Sequence, residues 1–391
     1  MNETRIGTGQ GRLESLDALR GFDMLFISGL SGLVMAACAM LGAPECWLAE
    51  QMRHTAWTGL HHHDTIFPLF LFLAGVSWPF SLAAQRAKGR TDGRIILKLV
   101  RRAVVLSLFA AIFGGLLTFD WPNVRWLDVL TTIGCCGGIS AVIYMYVPDW
   151  RKRLVICAVI LVGYWLLLRF VPAPDAAMVP MPASPEWQGR GPFSLVGNLC
   201  GYVDRRLLPG LYYTCTDANG VGIFEEDGIL HNLDAIATAM LGVFAGEIVR
   251  LKTVSGGRKS LLLLGCSALC LVLTLAWSPH CPIIMKIWSP TYVLANGAYS
   301  FAMLAFFYWI IDVRGCRGWA FPLRVIGMNS ITIYLMNRTG LMPPVANYFT
   351  GGLASLTDYP GYPALVSSLG LLALNWLVLY WFYRKNAFLK V

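Results

Sequence analysis

Charge is what this 391-residue chain has least of. Asp, Glu, Lys and Arg make up 14% of it, against about 25% in soluble globular domains. So little charge cannot cover a water-facing surface when 56% of the residues are hydrophobic, and a soluble fold around one large core is excluded. Acids are scarcer than bases, 22 against 31. No internal repeat is present, so the signature of many secondary transporters is missing. GTGQG near the start precedes no strand–helix unit and reads as a tail rather than a phosphate cradle. The first twenty residues hold no apolar core of a signal peptide, so the first span is the expected insertion signal.

Long apolar runs are abundant instead. Segments of ~20 residues, the length that crosses a hydrocarbon core of ~30 Å, recur at 21–42, 64–85, 103–118, 127–147, 153–171, 232–249, 260–277, 291–312, 323–338 and 363–383. The expectation is an all-α, polytopic membrane helix bundle of about ten transmembrane helices, forming a single domain over 1–391. RAKGRTDGRIILKLVRR, DWRKR, RLKTVSGGRK, RGCRGWAFPLR and YRKNAFLKV all fall in alternate connections. The positive-inside rule then puts both termini in the cytoplasm. The net charge of +9 is explained by this orientation and by anionic lipid, with no nucleic acid required.

Two of the opposite connections are too long for turns: the one holding His54, and the stretch 172–231, expected as a long extracytoplasmic loop that caps a site. Cys46, Cys200, Cys215 and Cys281 fall on that side, where disulfides persist, and spacing alone assigns no pairing. Cys266 and Cys270 read as small packing residues.

Ionisable groups inside spans are costly and mark function by default. His54, Asp64, Asp128, His231, Asp234, Asn337 and Arg338 cluster toward the outer ends of spans, and Asp17, Arg20, Asp23, Glu247, Asp312, Arg324 and Asn329 toward the inner ends. Polar groups at both ends of a greasy bundle fit a transporter or an enzyme that transfers a group across the membrane. His61, His62 and His63 invite a zinc reading, but neighbouring helical side chains point about 100° apart and cannot converge on one ion. No metal is expected, and the trio reads as a polar turn at the mouth of the second span. His54 stands apart, ten residues before Asp64 and beside Trp57 and Gly59. A base on a loop against a buried carboxylate suits general-base chemistry.

Six segments carry a resemblance in consistent order: RLESLDALRGFDMLFISG at 12–29, HTAWTGLHHHDTIFPLFLFLAGVSWPFSL at 54–82, GYVDRRLLPGLYY at 201–213, EEDGILHNLDAIATAMLGVFAGEIVR at 225–250, SPTYVLANGAYSFAMLAFFYWIIDVRG at 289–315 and LRVIGMNSITIYL at 323–335. Together they resemble the heparan-α-glucosaminide N-acetyltransferase family and its bacterial relatives. The resemblance implies a multi-pass acyltransferase of the bacterial inner membrane. Such an enzyme takes acetyl from cytosolic acetyl-CoA, a co-substrate, to the amine of a terminal glucosamine or related amino sugar outside. It also implies that the family's active-site histidine falls on His54 and its aspartate on Asp64, and it admits a homodimer. Candidates for the acceptor are Trp57, Asp128, Asp234 and Asn337, and for the donor Arg20, Arg324 and Asn329. Departures are Thr131 and Thr132 where relatives carry Gln-Arg, His62 and His63 in place of aromatics, and Ser31 near a family asparagine. They leave the acceptor open, with a sugar O-acyltransferase of surface polysaccharide or a non-catalytic sugar transporter as alternatives.

Overall fold

The computed structural model describes residues 13–182, 187, 189–209, 215–216 and 222–389, with backbone alone at 215–216. The N-terminal GTGQG and the side chain of Cys215 lie outside the described residues. The first span is two helices, α1 (Glu14–Leu25) and α2 (Ser31–Met40), joined across a kinked π turn (Phe26–Leu30). Gly29 in that turn has φ 130°, a conformation that L side chains rarely adopt, so the bend belongs to glycine. A short α3 (Trp47–Glu50) and a 3₁₀ turn (His62–Thr65) lead into α4 (Ile66–Ala87).

There follow α5 (Asp92–Phe113), α6 (Val129–Tyr146), α7 (Trp150–Phe170), α8 (Leu199–Leu207), α9 (Asn232–Arg250), α10 (Gly256–Trp277) and α11 (Pro290–Phe307). The chain ends with α12 (Phe321–Gly327), α13 (Ser330–Arg338), α14 (Met342–Ala354) and α15 (Tyr362–Arg384). The described strands are β1 (Cys215–Thr216) and β2 (Gly222–Phe224), antiparallel, with Cys215 opposite Phe224.

Eight helical rods among the described residues are long and apolar enough to cross a membrane. The two remaining expected spans differ for visible reasons. The helix expected at 103–118 begins earlier, as α5, and its first half carries Asp92, Arg94, Lys98, Arg101 and Arg102. The span at 323–338 is broken between α12 and α13, at Met328 and Asn329. The bundle is apolar on its outer surface as well as in its core. α7 exposes Leu154, Val155 and Val159, and α10 exposes Leu261, Leu269, Val272 and Leu275, an apolar belt suited to lipid rather than water.

Small residues and buried ion pairs hold the interior together. α4 and α9 make the most intimate helix pair. A Cβ at Gly75 would collide with the Ala239 carbonyl, and one at Gly242 with the Phe72 carbonyl. Close backbone approach of this kind is how helices associate where lipid removes the hydrophobic drive. Several of the inner-end polar residues are structural ties. Arg153 of α7 holds Glu247 of α9 at 2.6 Å, and Arg324 of α12 holds Glu14 of α1 at 3.0 Å.

The α4–α9 contact predicts a selective defect. Gly242→Val should lower the yield of monodisperse protein in detergent and cost about 1–3 kcal/mol. Gly265→Ala, whose Cβ meets nothing within 4 Å, should leave size-exclusion profile and thermal midpoint unchanged.

Candidate active site

The site starts where α4 enters the bundle. The Asp64 side chain is fully buried, and its carboxylate collects three donors. Oδ2 accepts the His61 amide at 2.9 Å and the Thr55 amide at 3.3 Å, so the loop from 53 to 61 wraps around it. Oδ1 meets His54 Nδ1 at 2.7 Å. The Tyr292 hydroxyl of α11 donates to the Asp64 carbonyl at 2.6 Å and fixes the backbone from behind. If Nδ1–H donates to the carboxylate, Asp64 holds His54 in the tautomer whose lone pair is on Nε2, the part the orienting acid plays in a catalytic triad. The His54 side chain is 53% exposed, so that nitrogen is open to a reactant.

The loop is pinned by the connections between α7 and α9 and between α10 and α11. The Trp57 indole donates to the Phe193 carbonyl at 2.7 Å and packs edge-on against Phe224 at 5.6 Å. The Gly59 amide donates to the Ile283 carbonyl at 2.9 Å, beside an isolated bridge between Thr58 and Ile284. Asn198 caps α8 through the Gly201 amide at 2.8 Å, which orders part of the stretch 172–231.

His54, His63 and Asp64 line a cavity of about 190 Å³. Its walls are apolar, including Ile27, Phe67, Phe70, Leu106 and Ile133, and Glu226, Asp227 and Lys286 also line it. An apolar chamber with a few convergent polar groups is the usual form of a small-molecule site. A second cavity of about 200 Å³ lies beside Arg20, Ser77 and Ser81. Phe70, Arg102, Ser330 and Ile331 line both chambers, so they adjoin one another between the His54 end and the basic end of the bundle.

The three consecutive histidines diverge, as helical geometry requires. His61 Nδ1 lies 3.1 Å from the Arg53 carbonyl, and His62 Nε2 lies 3.1 Å from the Tyr299 hydroxyl. His63 faces the cavity, 4.5 Å from the His54 ring centroid and 3.3 Å from Ser31 Oγ.

The remaining candidates scatter. Trp57 and Asp234 do not line the cavity: Trp57 anchors the loop, and Asp234 is buried in α9 with neither oxygen hydrogen-bonded. Asp128 accepts the Val129 amide at the start of α6, pairs with Arg338 at 2.6 Å and receives the hydroxyl of Tyr334 at 3.2 Å. Since Tyr334 lines the cavity, Asp128 touches the site through it. Asn337 donates to the Ile27 carbonyl at 3.2 Å and braces the π turn. Arg20 lines the second cavity, whereas Arg324 is occupied by Glu14 and Asn329 donates to the Val325 carbonyl at 3.2 Å.

Sequence reasoning missed His63, Ser330, Arg102 and the trio Glu226, Asp227 and Lys286. Arg102 carried a usable signal. If α5 starts at Asp92, Arg102 sits ten residues in, about 15 Å deep, too far for a surface anchor.

Electrostatics at the mouth follow from burial. Arg125 pairs with Glu225 at 2.5 Å and Asp227 at 2.8 Å, and burial pushes the Asp227 carboxyl well above its usual range despite Arg125. His231 stacks on Trp288 at 5.6 Å. Burial, with Arg125 adding to it, lowers its imidazole to about 3.

A model described as a domain of unknown function (DUF5009) matches residues 12–174. The chain is 26% identical to mouse (Mus musculus) heparan-α-glucosaminide N-acetyltransferase over 100% of its own length and 62% of that protein. It is likewise 26% identical to the human (Homo sapiens) protein of that name, over 99% of the chain and 61% of the human protein. It therefore spans about three fifths of the length of the curated relatives it matches.

Two outcomes follow from this geometry. Asp64→Ala removes the acceptor of two amides, so hydrogen exchange across 53–61 should quicken at least about tenfold, with a smaller rise for Asp64→Asn. For His231, the unfolded imidazole titrates near 6.5 and the folded one near 3. The unfolded chain takes up the proton first, so stability is full above about pH 6.5 and drains as pH falls toward 3, by about 2 kcal/mol at pH 5. His231→Phe, which keeps a ring on Trp288, should flatten the drop in thermal midpoint between about pH 7 and pH 5.

Proposed function

We propose that this chain, a distant relative of the heparan-α-glucosaminide N-acetyltransferases, is a transmembrane acetyltransferase. It moves acetyl from cytosolic acetyl-CoA to the amine of a terminal amino sugar on the opposite side. The observation that carries the reading is the 2.7 Å contact between His54 Nδ1 and the buried Asp64 carboxylate. It borders a cavity that shares four lining residues with a second one toward the basic end. Distant kinship with acetyltransferases over nearly the whole chain supports the same reaction class.

The chemistry assigned to these residues is simple. The acceptor nitrogen attacks the thioester carbonyl while its proton passes to His54 Nε2. The tetrahedral adduct then expels the thiolate, which recovers that proton from the imidazolium and leaves as free CoA. Asp64 stabilises the transient imidazolium and holds the tautomer. A base placed this way is worth about 10²–10⁴ in rate. Arg20, at the basic end, is assigned to the donor, and the mouth near Glu226 and Lys286 to the acceptor. We assign it to a bacterial inner membrane by its kinship, and the asymmetry of Lys and Arg supports placing the basic end in the cytoplasm.

The test is release of free CoA by purified protein given acetyl-CoA and glucosamine. His54→Ala should lower kcat at least about 100-fold, and Asp64→Asn should lower it too. The product's acetyl group should survive mild alkali, as an amide does and an ester does not. Full activity in His54→Ala would remove His54 from the mechanism, and an alkali-labile product would reassign the enzyme to sugar hydroxyls.

A further inference from the structure

Arg102 is a charge without an explanation in the fold. It sits on α5 about 15 Å from the basic end, and its Nε is buried with no hydrogen-bond partner. Among the described residues, none supplies it with an ion pair. Its guanidinium lies 5.8 Å over the Trp78 ring, and Trp78 Nε1 is also buried and unpartnered. Other deep arginines are answered by carboxylates, Arg153 by Glu247 and Arg125 by Glu225 and Asp227. An unanswered guanidinium at membrane depth is expensive to keep.

The groups around it share one character. Across the second cavity stands Arg20, held by the Ser77 hydroxyl and, at 3.7 Å, by Asp17. Ser81 and Ser330 complete a wall dominated by hydrogen-bond donors. Two guanidinium forks, hydroxyls and an indole N–H call for a multivalent anionic acceptor, and phosphate is the group that forks of this kind fit. Ser77 lies thirteen residues along α4 from Asp64, an axial distance of about 20 Å. That is comparable to an extended pantetheine arm, so an anion here could send a thioester up to His54.

We propose that Arg102 and Arg20 form a phosphate clamp in the second cavity, which holds a phosphate of the acyl donor and so sets how far its thioester reaches toward His54. This rests on the acetyl-CoA reading above. Arg102 is a binding and positioning residue and takes no part in bond making. Donors lacking phosphate would be poor substrates because they forgo the clamp.

The test uses full-length protein in nanodiscs, with CoA and pantetheine as binding probes and acetyl-CoA and S-acetylpantetheine as donors. Wild-type protein should bind CoA at least tenfold more tightly than pantetheine. Arg102→Gln should weaken CoA binding tenfold or more and cut the kcat/KM preference for acetyl-CoA over S-acetylpantetheine by a similar factor, with Arg102→Lys restoring part of it. Ser81→Asp, which supplies an internal counter-ion, should exclude CoA in a protein that still folds.

A preference kept at the wild-type level in Arg102→Gln overturns the clamp and leaves the acetyltransferase reading intact. Wild-type protein that binds no CoA overturns both. Native mass spectrometry in phosphatidylglycerol discs supplies the last arm. An anionic lipid retained by wild type, lost in Arg102→Gln and not displaced by CoA would give the site to a lipid headgroup and sink the proposal.

Discussion

The carboxylate of Asp64 is the point on which the His54 end of the molecule depends. It is an anion fully withdrawn from water at the head of a membrane-spanning helix, and such a group persists only when donors surround it. Two backbone amides and an imidazole supply them. Each donor comes from the same loop, so satisfying the charge also dictates that loop's path. Trp57 and Gly59 then tie the loop to the outer layer, and the result is a histidine with one nitrogen fixed and the other open.

Pairing divides the remaining charges by role. Arg153 with Glu247, Arg324 with Glu14 and Arg125 with Glu225 and Asp227 are closed accounts. Removing one partner from such a pair would strand a buried ion, so these residues serve architecture. Arg102 differs because among the described residues no carboxylate pairs with it and its Nε has no hydrogen-bond partner, and a cavity adjoins it. In a medium with little water to screen charge, a group left open toward a cavity is a statement about what enters that cavity.

Helix packing creates the cavities as much as the polar groups do. α4 and α9 approach so closely that Gly75 and Gly242 leave no room for a side chain. The π turn, bent at Gly29, packs against α15 and α13, and the break between α12 and α13 brings Ser330, Ile331 and Tyr334 to the cavity wall. A straight, unbroken helix at either place would present a different set of side chains there.

The helical, membrane-spanning class was legible from composition and run length, because hydrocarbon demands long apolar helices whatever their partners. His54 and Asp64 were legible as a pair because the stretch that joins them is short, and local chain geometry brings them close. Trp57, Asp128, Asp234 and Asn337 share an end of the bundle but not a chamber, since depth along the sequence says nothing of the direction a helix faces. The roles open to Arg102, His63 and Ser330 depended on helices distant in the chain, and only their packing decided which polar groups found partners and which were left facing space.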